Sequence, residues 1–167
     1  MSELTLERLT PEVFEPFGDV IAANAAAEAF EINEGTAMRF HDLARVAVVD
    51  DAGVVALSLF RCQPVALPTT VSMVECHPLG SQVFVPLHGA RFIVVVAAAG
   101  PCPGGDELRA FVTDGAQGVH YAPGVWHQPL MCLEGPSDFL VIDRVGPGEN
   151  LETCALAAPP RISGLPD

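Results

Sequence analysis

The chain contains no lysine: its entire fixed positive charge is eight arginines, set against 21 acidic residues, for a net charge of −13. A field of that sign repels phosphate backbones and speaks against nucleic acid as a partner. Without lysine there is no Schiff base to a carbonyl substrate and no lysine-anchored pyridoxal phosphate. No apolar run reaches the roughly 18 to 20 uncharged residues of a membrane-spanning helix. The stretch Met1 to Arg8 also lacks the basic and apolar regions of a secretory leader. A cytoplasmic protein without membrane attachment is the expectation. The five cysteines, Cys62, Cys76, Cys102, Cys132 and Cys154, form no Cys-x-x-Cys pair. Their odd number argues against a disulfide framework, and reduced, packed thiols are expected instead of bridges or a structural zinc site. Nucleophile elbow, phosphate loop and dinucleotide fingerprint are all missing. Acid–base or metal-assisted chemistry on a small polar molecule is what these absences leave.

What the chain does have is short runs of period two. At 167 residues it can bury a sizeable core without metal or disulfide help. Leu4 to Leu9 alternates as a strand, and Thr10-Pro11-Glu12 reads as an N-cap with proline at the first helical position, opening a short helix that carries Phe14. Gly18 to Ile21, Met38 to Asp42, Val54 to Arg61, 69–77, Gln82 to Leu87, Arg91 to Ala97, Val119 to Tyr121 and Asp138 to Arg144 read as strands. The Ala-rich residues 22–29 suggest a loop or short helix, and Asp106 to Phe111 opens with acids as a helix N-terminus does. Phe92 to Val96 is continuously apolar, which implies cover on both faces, and a second subunit is a candidate for one of them. The pattern predicts an all-β fold, a β-barrel of jelly-roll type with one or two short helices. Residues 1–150 are expected to form one domain, and residues 151–167 an extended C-terminal tail with little to pack.

Two stretches carry polar residues at a telling spacing. The first is Glu75-Cys-His77-Pro-Leu-Gly-Ser-Gln82, followed after six intervening residues by Gly89; the second is Pro123-Gly124-Val-Trp126-His127. Side chains at i and i+2 share a strand face, so Glu75 and His77 point together, while Gln82 is expected to return on the hairpin partner after the Pro78 to Ser81 turn. A further hairpin must bring His127 across. This is the spacing of the two cupin motifs, with Glu75 and Gln82 replacing usual ligand types. Two histidines and a carboxylate suit a divalent ion such as nickel or manganese. Glu75, His77 and His127 are therefore candidate ligands, and all four residues are candidate proton donors and acceptors. Arg39 and His41 share a face and can hold a carboxylate, as can Arg61. His88 and His120 lie beside turns and are expected to be solvated.

Longer blocks narrow the reading. Phe14-Glu-Pro-Phe-Gly-Asp-Val-Ile21, Arg39-Phe-His41-Asp-Leu, Phe60-Arg61-Cys-Gln63-Pro64, Arg109-Ala-Phe-Val-Thr113, Gly124-Val-Trp126-His127 and Asp138-Phe-Leu-Val-Ile-Asp143-Arg144 run in order along nearly the whole chain. Together with the Glu75 to Gln82 block they resemble the ureidoglycolate lyase family. That resemblance implies a cupin-like barrel, a homodimer, and cleavage of (S)-ureidoglycolate to glyoxylate and urea in allantoin breakdown. On that chemistry Glu75, His77, Gln82 and His127 are the expected catalytic residues. Substrate contacts would come from Arg39 or Arg61, with His41 and Trp126. Family members often carry a second histidine where this chain has Gln128. Two rivals remain on sequence alone: an amidohydrolase that releases ammonia from the same substrate, and a non-catalytic cupin that binds a small acid.

Overall fold

A computed structural model describes residues 2–166. Its strands, in chain order, are β1 (Leu6–Arg8), β2 (Gly18–Ile21), β3 (Glu28–Ile32), β4 (Ala37–His41), β5 (Val54–Cys62), β6 (Thr69–Thr70), β7 (Met73–Cys76), β8 (Gln82–Pro86), β9 (Phe92–Ala97), β10 (Arg109–Val112), β11 (Gly118–Tyr121), β12 (Trp126–His127), β13 (Met131–Cys132), β14 (Ser137–Val145), β15 (Glu152–Ala155) and β16 (Arg161–Ile162). One short α-helix, α1 (Pro11–Phe14), starts as the sequence prescribes: Thr10 Oγ1 accepts the Val13 N–H at 3.4 Å and Pro11 opens the first turn. No helix among the described residues is long and apolar enough to cross a membrane.

The architecture is all-β and cupin-like, built on two sheets. One runs β1-β10-β9-β12-β7-β15, with β13 also on β9; the other runs β2-β11-β8-β14-β5. They face each other across a core that takes Phe92, Val94, Val96 and Phe111 from the first and Phe84, Val119, Tyr121, Phe139 and Val141 from the second. The Phe92 and Phe139 rings meet edge to face at 5.3 Å, and the α1 residue Phe14 plugs the end of this core against Phe111 and Tyr121. Alternation along β9 sends Ile93, Val95 and Ala97 to the opposite face, into a second core with Val74, Trp126, Leu156 and Ile162.

That second core corrects two expectations. The far face of β9 is covered by the chain's own C-terminal segment, not by another subunit. The described part of the expected tail, residues 151–166, accordingly packs: β15 pairs with β7, β16 pairs with β6, and Cys154, Leu156 and Ile162 are buried; residue 167 lies outside the described residues. The segment looked unpackable because its apolar residues are spaced singly between prolines, yet each drops into a pocket on an existing sheet. Cys154 is moreover disulfide-bonded to Cys102, so the expectation of five reduced thiols does not hold; Cys62, Cys76 and Cys132 remain free.

Three local expectations also change. The acids at 106 and 107 head a single 3-10 turn, Gly105–Glu107, in which the Glu107 carboxylate accepts the Gly104 N–H. The chain is extended by Arg109, because Ala110 and Phe111 alternate into the two cores. The Pro78 to Ser81 segment is a crossing between sheets and not a hairpin, since β7 and β8 belong to different sheets. His120 is buried and 2.8 Å from Asp19, whereas His88 is exposed as expected. The β3–β4 hairpin pairs only with itself and stands apart from both sheets.

Candidate active site

β12 lies beside β7 with His127 directly opposite Glu75 in the ladder. Alternation buries Val74, Cys76 and Trp126 in the second core and turns Glu75, His77 and His127 the other way, toward the facing sheet. The turn into β12 needs Gly124 at φ +77°, and its N–H donates to the His77 carbonyl at 2.9 Å, which locks the two motifs together. One potential ligand atom from each of Glu75, His77 and His127 falls within a 4.8 Å cluster. Glu75 Oε1 is 3.7 Å from His127 Nε2, and the two imidazole centroids are 5.2 Å apart.

The hydrogen bonds decide which nitrogens are available. His77 Nδ1 is 2.8 Å from the Asn150 carbonyl and His127 Nδ1 is 3.0 Å from the Val125 carbonyl. A carbonyl oxygen can only accept, so each Nδ1 carries the proton, and in a neutral ring Nε2 is left with its lone pair. Both Nε2 atoms are buried without a hydrogen-bond partner. Burial lowers the His127 pKa to about 4; the Val125 hydrogen bond opposes this and the His77 charge adds to it. Burial also raises the Glu75 pKa, with His77 pulling the other way. Two imidazoles with bare, partnerless Nε2 atoms beside a carboxylate fit the donor set of a divalent cation, and the carbonyls behind them supply the outer support such ligands usually have.

The facing sheet brings three more groups. Tyr121 stacks on His127, with centroids 4.3 Å apart and planes 8° from parallel. Its hydroxyl pKa is raised by burial first and by the Glu75 charge second. Gln82, opposite Tyr121 in the β8–β11 ladder, donates from Nε2 to Asp143 at 3.3 Å while its Oε1 is buried with no partner.

The family model described as ureidoglycolate lyase matches residues 1–163 of this chain. Ureidoglycolate lyase of Burkholderia mallei NCTC 10229 is 54% identical over 151 residues, 90% of this chain and 88% of the relative. The enzyme of that name from Pseudomonas fluorescens Pf0-1 is 49% identical over 152 residues, 91% of this chain and 90% of the relative. For Burkholderia cepacia the identity is 50% over 154 residues, 92% and 86% of the two chains. The chain belongs to the ureidoglycolate lyase family.

The residues expected from the sequence to contact the substrate stand away from this cluster. Arg61 lies on the outer face of β5, where both its Nε and Nη2 bond the Asp138 carboxylate. Arg39 is on the free hairpin, its guanidinium 5.8 Å from the Phe30 ring centroid. His41 lines a surface hollow of about 430 Å³ together with Glu15, Asp19 and Asp42. Trp126 is buried in the second core and donates its indole N–H to the Gly100 carbonyl. The structure thus groups Glu75, His77 and His127, sets Gln82 on the facing sheet, and leaves Arg39, Arg61, His41 and Trp126 elsewhere. Tyr121, Asp143 and Asn150 receive no site role from the sequence. For the first two a signal existed: they continue the inward alternation Val119, Tyr121 and Phe139, Val141, Asp143.

Proposed function

We propose that this protein is a ureidoglycolate lyase whose active centre is Glu75, His77 and His127, faced by Gln82, Tyr121 and Asp143. The observation that carries this reading is the pair of buried Nε2 atoms, each left bare by a carbonyl bond to its Nδ1, converging on Glu75 inside a chain that belongs to the family. Ureidoglycolate is a hemiaminal: its C2 carries a hydroxyl and the ureido nitrogen. Loss of the hydroxyl proton lets the oxygen form the glyoxylate carbonyl as the carbon–nitrogen electron pair leaves with urea, and one proton returned to that nitrogen completes the balance. No water is consumed.

His77 and His127 through Nε2, with Glu75, would hold a divalent ion such as nickel or manganese. Bound there, such an ion lowers the pKa of an oxygen it contacts and offsets the negative charge of a carboxylate substrate. That charge matters, because five of the arginines, at 45, 61, 91, 109 and 144, are already paired with carboxylates of the chain. In the alternative without an ion, Glu75, its proton affinity raised by burial, moves the proton from the C2 hydroxyl to the departing nitrogen directly. Gln82 Oε1, buried and unpartnered, accepts a ureido N–H, and the Tyr121 ring holds the His127 plane and excludes water.

Product analysis tests the assignment. With (S)-ureidoglycolate the protein should release glyoxylate and urea in equal amounts. Ammonia in place of urea would make it an amidohydrolase, and ligand-induced thermal stabilisation without turnover would make it a binding protein.

We further assign a homodimer through the outer face of β5 and β14. Leu57 and Leu59 are 69% and 66% exposed there, beside the half-buried Leu140 and Ile142, on a strand whose outer edge pairs with nothing among the described residues. The Arg61–Asp138 pair neutralises the carboxylate at its margin, so a second copy of an acidic chain can approach without repulsion.

A further inference from the structure

The proposed chemistry needs the His77 ring held with Nε2 turned toward Glu75 and His127. The residue that holds it lies far from the motif that nominated His77. The His77 Nδ1–H donates to the main-chain carbonyl of Asn150, 73 residues along, at 2.8 Å. The Asn150 side chain meanwhile accepts the Leu79 N–H through Oδ1, also at 2.8 Å. One residue therefore grips both the imidazole and the main chain two positions after it. Asn150 is itself placed from both sides. Before it, Arg144 donates to the Pro147 carbonyl at 2.6 Å; after it, β15 pairs with β7 from Glu152 opposite Cys76 to Ala155 opposite Met73. The strand that presents Glu75 and the residue that orients His77 are thus fastened to the same C-terminal segment.

We infer that Asn150 is a positioning residue of the active site. Its carbonyl selects the Nδ1–H tautomer of His77 and aims Nε2, and its amide fixes that carbonyl by bonding Leu79. Removing the amide frees the peptide to turn. The ring then loses its only acceptor among the described groups at Nδ1 and takes up both tautomers. For its effect on turnover this inference rests on the lyase reading; for its geometry it does not.

The test is imidazole nitrogen NMR on labelled, metal-free and substrate-free protein, with steady-state kinetics alongside. The parent should show His77 as a single Nδ1–H form, and Asn150→Ala a mixture of tautomers. Turnover in Asn150→Ala should fall about tenfold or more in kcat with KM within about twofold, and affinity for nickel should weaken by about the same factor. Asn150→Asp keeps an acceptor for Leu79 and should restore most of both, while Glu149→Gln on the same segment should match the parent. A parent spectrum with His77 in the Nε2–H form overturns the inference even if Asn150→Ala does not fold. So does an Asn150→Ala protein with the parent's spectrum and kcat, or an Asp variant as impaired as the Ala one. A parent that makes no urea, yet shows the tautomer change, overturns the lyase reading alone.

Discussion

Carbonyl oxygens set the chemistry of individual residues here, and the i, i+2 spacing of Glu75 and His77 made half of that legible. Spacing says that two side chains share a face; it cannot say which ring nitrogen is free, because the Asn150 and Val125 carbonyls are set by tertiary structure. Arg39 and Arg61 illustrate the converse. Each is a good carboxylate receptor in isolation, but the fold gives Arg61 to Asp138 and leaves Arg39 on the hairpin. Arg144 is a buried arginine whose charge is answered by Asp50 at 2.7 Å. That hydrogen bond holds the Asp50 carboxyl below its usual range. A depressed folded pKa means stability that is present above the unfolded value, about 3.9 for aspartate, and lost as pH falls through the folded one. Thermal melts should therefore show an acid-side decline below about pH 4, and Asp50→Asn should lower Tm at neutral pH while flattening that part of the profile. An unchanged Tm at neutral pH would show that Arg144 finds another partner.

At the scale of elements, period-two patterns located most strands within a residue or two, because strand alternation is read directly from apolar spacing. The failures have physical causes. Acids at 106 and 107 mimic a helix start, but the alternating Leu108, Ala110 and Phe111 belong to two different cores, and packing overrides end preference. The 78–81 turn looked like a hairpin because turn residues do not record which sheet the next strand joins. Close approach of backbones is also invisible in sequence. Gly18 sits at φ +148°, and a Cβ there would lie 1.8 Å from the His120 carbonyl oxygen across the β2–β11 ladder. Gly18→Ala should cost about 2 to 4 kcal/mol of stability in urea unfolding. A loss below about 0.5 kcal/mol would mean that β2 shifts freely along its neighbour.

For the whole molecule, the expected all-β, cupin-like class was readable because composition and spacing both point to sheets. The C-terminal segment was not, because single apolar residues among prolines become a core only where a second sheet face awaits them. That segment buries Ile162, carries the Cys102–Cys154 bond and begins directly after Asn150. Subunit association is argued at the same scale. Light scattering of the purified protein should give twice the chain mass, and Leu57→Asp with Leu59→Asp should give a folded monomer; a parent that runs as a monomer contradicts the assigned face.

Turnover of (S)-ureidoglycolate by His127→Ala, at matched nickel loading and with folding confirmed by its melt, puts the shared site of Glu75, His77 and His127 to its most direct trial. Loss of at least about a hundredfold in kcat/KM is the predicted result. Parent-level release of glyoxylate and urea by that variant would contradict it.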